Sequence, residues 1–188
     1  MSVFLFLMLL LECVLMLVIF IISGIAIYCM ISSKFMLNPP PIPSCGKVKI
    51  AMIEDVAKLL RKRKNQLVMD LGSGWGDLLL PLAKRFPSHR FVGVERNFLP
   101  YWVSRFRSRK LKNITFYRQN LFNTNISEAD VIFLFLLNRT MSKIVHKYKT
   151  EAKTGAYVYS NRFPMPDVKG ERKVILGSGY DTYYVYKK

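Results

Sequence analysis

The first 33 residues almost lack charge: Glu12 is the only Asp, Glu, Lys or Arg among them. Nothing in such a stretch holds it in water, which excludes a solvated N-terminal domain. Cysteine is scarce as well. Cys13, Cys29 and Cys45 form no C-x-x-C pair, and the chain has only two histidines. Neither a disulfide framework nor a metal site is therefore expected. His89 and His146 stand apart from each other and are expected at the surface. Internal repeats and low-complexity tracts are missing, which sets aside solenoid architectures. Missing too is the third glycine of a dinucleotide-binding turn. After Gly72 and Gly74 it should fall at position 77, where the chain has Asp77.

What fills the first segment is a continuous apolar run. Val14 to Ser33 is 20 residues without a charge, and at about 1.5 Å rise such a helix spans roughly 30 Å, the hydrocarbon thickness of a bilayer. No Lys or Arg precedes the run, and no clear small-x-small cleavage site follows it. An uncleaved signal-anchor helix over 1–33 is expected, with a buried helix of a soluble core as the alternative. All 29 Lys and Arg lie from Lys34 onward, beside 11 of the 12 acids. The positive-inside rule then puts the rest of the chain on the cytoplasmic side, or in an organellar matrix. Glu12 is either at the outer leaflet or a functional intramembrane carboxylate.

Residues 34–46 contain "NPPPIPS" and read as a stiff, extended linker. An Asn-Pro-Pro-aromatic motif would point to amino-methylating enzymes acting on adenine or glutamine. Here the fourth position is Pro41, and the motif follows an apolar helix rather than a core strand. From residue 47 to 188, helical and strand patterns alternate. Ile50, Ile53, Val56, Ala57 and Leu60 recur at helical spacing. Strands are expected at 66–71, 90–95, 113–118, 129–137 and 155–163, with helices between them, and two further strands close the chain. This order predicts an α/β fold: a mostly parallel, doubly wound sheet with a C-terminal antiparallel hairpin, preceded by one transmembrane helix.

The glycine turn "DLGSGWG" directly follows a strand. Its pattern is Asp70, then Gly72, Gly74 and Gly76 at alternate positions, with Ser73 between the first two. Glycines there let the chain turn sharply and let backbone N–H groups approach a ligand. A ligand without a pyrophosphate fits this spacing, and a carboxylate at the strand end suits a cationic one. Glu95 ends the next strand, 19 residues after Gly76, where an acid can grip ribose hydroxyls. Together these features point to S-adenosyl-L-methionine; a tight turn with no ligand is the plain alternative.

With these residues in view, the chain resembles the Rossmann-like class I methyltransferases. More narrowly, it resembles the membrane-anchored protein-lysine methyltransferases of the ATP synthase c-subunit and adenine nucleotide translocase type. The resemblance runs through the apolar anchor, "PPIPS", "DLGSGWG", "GVERNFLPYWVSR", "NRFPMP" and "GYDTYYVYK". It implies that Asp70, Gly72, Ser73, Gly74 and Gly76 hold the methionine end. Glu95 and Asn97 would hold the ribose. Asn120 falls where the family usually has an Asp near the adenine, and Trp75 where it favours Asp. Arg162, Phe163 and Pro164 would line the acceptor pocket. The implied activity is methyl transfer to a lysine of a small membrane protein.

Such a transfer needs geometry more than acid–base machinery, since the sulfonium is already a leaving group. No catalytic side chain is assigned. Tyr157, Tyr159 and Tyr180 are either pocket aromatics for a methylated amine or ordinary core and rim. The basic stripe Arg105, Arg107, Arg109, Lys110 and Lys112, with Arg61 to Lys64, suits anionic lipid headgroups or an acidic substrate more simply than nucleic acid. A lipid or other small lipophilic acceptor is the main alternative substrate, RNA the lesser one. The sequons at Asn113, Asn125 and Asn138 are taken as chance.

Overall fold

The computed structural model describes residues 3–35, 46–136, 138–170, 172–177 and 181–188. The chain divides into two units, Met1–Ile42 and Pro43–Lys188. Most of the expected linker, with Cys29's side chain, Cys45 and Tyr180, lies outside the described residues and side chains.

The first unit is one helix, α1, Val3–Phe35. Its long apolar side chains leave the backbone no alternative pairing, and 33 residues extend roughly 50 Å. Its apolar window, Val3–Tyr28, is 0% buried. A core helix of a soluble protein would be mostly buried.

The second unit is built on a seven-stranded sheet ordered β3-β2-β1-β4-β5-β7-β6. Its elements run α2 (Gly46–Arg61), β1 (Leu67–Leu71), α3 (Leu79–Arg85), β2 (Arg90–Glu95), α4 (Phe98–Ser108), β3 (Ile114–Arg118), β4 (Val131–Leu134), α5 (Asn138–Glu151), β5 (Tyr157–Asn161), β6 (Arg172–Ile175) and β7 (Thr182–Lys187). β1 to β5 pair in parallel, and β7 is antiparallel to both β5 and β6. The closing pair therefore lies at one edge as expected. β7 inserts beside β5, so β6 runs in the same direction as the parallel strands.

β1 and β4 are buried on both faces, as central parallel strands must be; β4 is apolar throughout, and Asp70 is the one polar residue of β1. One face of the sheet is covered by α2 and α3, with Phe91, Phe133, Tyr159 and Tyr183 beneath them. Side chains of α5 (Met141, Ile144, Val145, Tyr148) cover the other, with Ile126 and Met165 from loops. α2 is tied to the β6–β7 edge by Asp55, which accepts hydrogen bonds from Arg172 and Tyr183.

Three sequence expectations change. α2 starts at Gly46 and buries Val48, Met52, Val56, Ala57 and Leu60; Ile50 is 62% exposed. The buried stripe runs through Val48 and Met52, with Ile50 on the other side of the helix. β4 is four residues rather than nine, because the chain past Leu134 leaves the sheet. His89 is buried, not at the surface. Its Nδ1 accepts from the Gln66 N–H at 3.0 Å and its ring sits edge-on to Phe86. Burial lowers its pKa, favouring the neutral ring that this bond requires. His146 is exposed as expected.

Candidate functional site

Parallel strands bring their C-terminal ends to one edge, and the loops there carry the predicted residues. The strand order reverses between β1 and β4, the usual place for a ligand crevice in such sheets. The two loops meet at that point: a Cβ on Gly72 would lie 3.5 Å from Leu136 Cδ2, just past β4.

Gly72, Gly74 and Gly76 all have positive φ, at 96°, 51° and 81°, a conformation that a side chain disfavours. The resulting turn spends its own donors. The N–H groups of Gly72 and Ser73 both donate to the Val94 carbonyl, at 2.8 and 3.0 Å, and Gly76 N–H donates to the Ser73 carbonyl at 2.9 Å. Gly74 N–H donates to Glu95 Oε2 at 2.9 Å. This corrects the expectation that these N–H groups face a ligand. α3, which follows, has only seven residues. A phosphate cradle needs free N–H groups at a helix start, so the turn is shaped against an anion.

Its carboxylates argue for a cation. Asp70 is buried at 3% exposure, and no partner for its carboxylate occurs among the described residues. Burial first, then the neighbouring Glu95, push its pKa up to about 8. A cation beside it would reverse that shift. Glu95 is also buried; burial raises its pKa, while N–H donors from Asn97, Gly74 and Arg96 pull the other way. Its Oε1 accepts from Asn97 N–H at 2.7 Å. Glu95 thus joins the glycine turn to the start of α4, and a carboxylate oxygen has a second lone pair for a hydroxyl. Ser73 Oγ is buried without a hydrogen-bond partner among the described residues and lies against Gly93 of β2, 2.9 Å from where a Cβ there would sit.

Asn120 lies at the end of β3, where its Oδ1 accepts from Phe122 N–H at 3.1 Å and caps a short 3-10 turn. At the end of β5 the chain makes a hooked turn over residues 160–165. Arg162 has φ of 66°, Phe163 N–H donates to the Asn161 carbonyl at 2.8 Å, and Ser160 Oγ donates to the Phe163 carbonyl at 2.6 Å. Arg162 and Pro164 are exposed and Phe163 half-buried. Tyr159 instead stacks on Tyr183 in the core, ring centroids 6.3 Å apart, and Tyr157 is only half-buried.

Three contributors were not read from the sequence. Arg107 on α4 donates to the Trp75 carbonyl at 2.6 Å and to Asp77 at 2.8 Å, pinning the glycine turn from outside. No local signal links positions 30 residues apart. Gly93, in the middle of β2, lies under the Phe116 ring: a Cβ there would come within 2.3 Å of it. A glycine inside a strand was the available sign. Asn161 is buried at the end of β5, its amide nitrogen unpartnered.

Residues 70–172 match the family described as the ANTKMT methyltransferase domain. A protein-lysine N-methyltransferase of Saccharolobus islandicus (strain REY15A) is 32% identical over 164 residues, covering 81% of this chain and 96% of the relative. The adenine nucleotide translocase lysine N-methyltransferase of Mus musculus is 28% identical over 139 residues, covering 71% of this chain and 58% of the relative. Among solved structures, an RNA methyltransferase from Salinibacter ruber in complex with S-adenosyl-L-homocysteine is 25% identical, with a TM-score of 0.66 over 78% of this chain and 93% of that one.

Proposed function

Because the chain belongs to the ANTKMT methyltransferase-domain family and is an S-adenosylmethionine-dependent methyltransferase, we propose that it methylates a lysine of a membrane protein while α1 holds it in the bilayer. The observation that carries the reading is the pairing of two features on one chain. One is a cation-seeking crevice at Asp70 and Glu95. The other is an apolar helix of bilayer length with no buried surface.

Bound S-adenosylmethionine supplies a methyl group on a sulfonium that leaves without protonation. In this reading Asp70 faces the cationic methionine end, beside Gly72, Ser73, Gly74 and Gly76. Glu95 and Asn97 hold the ribose and Asn120 the adenine. Burial makes Asp70 selective, because its charged form is favoured only when a cation is beside it. Arg162, Phe163 and Pro164 line the acceptor side, with the buried Asn161 amide behind them. An arginine at that mouth disfavours a protonated amine nearby, so an incoming lysine more readily sheds its proton. The Lys and Arg from Lys34 onward support a cytoplasmic or matrix side for this unit, and its cationic surface suits anionic headgroups.

The support for a protein lysine is the family and the names of both curated relatives. A lipophilic small molecule is the second reading, since an anchored enzyme also meets lipids; RNA is the third, as the name of the Salinibacter structure allows. Membranes incubated with purified enzyme and methyl-labelled cofactor distinguish them. Acid-stable label in a protein band, absent with Glu95→Ala, is expected. Label confined to the lipid extract or to RNA would overturn the lysine assignment.

A further inference from the structure

Three large side chains on one face of α4 point into solvent: Phe98 is 51% exposed, Trp102 48% and Phe106 64%. Four-residue spacing sets them in one stripe along the helix. The opposite face carries Pro100, Ser104 and Ser108, all buried. Ser104 lies close to the glycine turn: a Cβ on Gly76 would be 3.3 Å from Ser104 Cβ, which leaves no room for a larger side chain there. The usual amphipathic arrangement is thus inverted, and the bulk faces outward.

Each exposed ring carries a guanidinium. Arg118 lies over Phe98 at 5.6 Å, Arg105 over Trp102 at 5.7 Å and Arg109 over Phe106 at 4.0 Å. Tyr117, on the edge strand β3, is also half exposed. Between Glu95 and Glu128 the chain has seven Lys and Arg and no acid. Among the described residues, Arg107 is the only one of these seven with an acidic partner, Asp77.

We propose that this face of α4 is a membrane-docking surface that seats in the headgroup region of an anionic bilayer. Aromatic rings favour the interface, and guanidiniums meet lipid phosphates there. An exposed apolar stripe rimmed by one sign of charge marks an interaction site rather than a solvated face. A single-stranded nucleic acid would need open ring faces on which bases stack. Here guanidiniums lie over the rings, and Phe98 and Trp102 are tilted 63° to each other. The inference rests on the anchoring reading and deepens it. α1 would keep the chain in the membrane, while α4 would orient the catalytic unit against it. α4 starts beside Glu95 and carries Arg107, so the docked helix is continuous with the glycine turn.

The test uses the full chain in nanodiscs containing brominated acyl chains, with either purely zwitterionic lipid or about a third phosphatidylglycerol. The chain has two tryptophans, so subtracting the emission of Trp102→Phe isolates Trp102. In anionic discs Trp102 is expected to lose most of its intensity to bromine and shift to the blue. Quenching should fall severalfold in zwitterionic discs, at high salt, and in Phe98→Ser/Phe106→Ser. Cofactor binding by that double variant reports its fold. Trp102 emission that stays red and unquenched in anionic discs would overturn docking, and protection appearing only on adding RNA would assign the face to nucleic acid. Failure of the chain to insert would instead overturn the anchor. Quenching by brominated anionic vesicles then still reads the α4 face, and its absence there counts against docking.

Discussion

At the scale of single residues, the end of β1 holds a carboxylate almost out of reach of water. Asp70 has a raised pKa in the folded chain, about 8, against an ordinary 3.9 or so when unfolded. The folded state therefore binds the extra proton between these values, and stability of the ligand-free chain falls as pH rises through that window. Asp70→Asn should flatten the fall, measured as denaturation midpoints from pH 5 to 8. Cofactor binding runs the opposite way, because a cation favours the ionised acid. Affinity should rise with pH toward 8, by at most about tenfold per unit, with proton release seen by calorimetry in buffers of different ionisation enthalpy. An affinity independent of pH would remove Asp70 from the site. Gly93 tests packing instead. Gly93→Ala drives a methyl into the Phe116 ring and should destabilise by about 1–3 kcal/mol, with partial recovery when Phe116→Leu is added. Equal denaturant midpoints for Gly93→Ala and the native chain would show that the ring moves freely.

At the scale of elements, α4 does more than join β2 to β3. Its start is held by Glu95, and Arg107 grips the glycine turn at the Trp75 carbonyl and Asp77. This accounts for Asp77, whose acid follows Gly76. It also accounts for the tolerance of a ring at position 75, since the contact is made by the backbone. Arg107→Ala removes a charge-assisted bond at a half-exposed position, about 1 kcal/mol. The expected outcome is a cofactor Kd raised roughly fivefold with little change in melting temperature; a large fall in melting temperature at unchanged Kd would make Arg107 merely structural. α3 owes its end to a distant residue as well: Asn113 Nδ2 donates to the carbonyls of Ala83, Phe86 and His89 at 3.0 to 3.2 Å. An asparagine that reads as a chance sequon is a helix terminator.

At the scale of the whole molecule, two units divide the work. The first has apolar surface and no core; the second has a core on both faces of its sheet and the crevice at its edge. Native chain in membranes should resist alkaline carbonate extraction. Deleting residues 1–35 should release the remainder into the wash with cofactor binding retained. Release of the native chain by the same wash would deny α1 a spanning role.

Much of this was legible in the order of residues. Strand and helix periods, the glycine spacing with Asp70 and Glu95, and the length of the apolar run are local patterns, and local patterns survive without coordinates. They determined the α/β class, the methyl donor and the anchor expectation. What the tertiary structure decided depends on contacts between distant positions. It put β7 between β5 and β6, buried His89, and engaged the N–H groups of Gly72, Ser73, Gly74 and Gly76 within the protein. It also turned the aromatic stripe of α4 outward, because the inner face had to be small enough to meet Gly76. The physical reason is common to all four: each is set by contacts between residues distant in sequence, which local periodicity does not encode; for α4, periodicity says that a helix has sides, but only packing determines which side is covered.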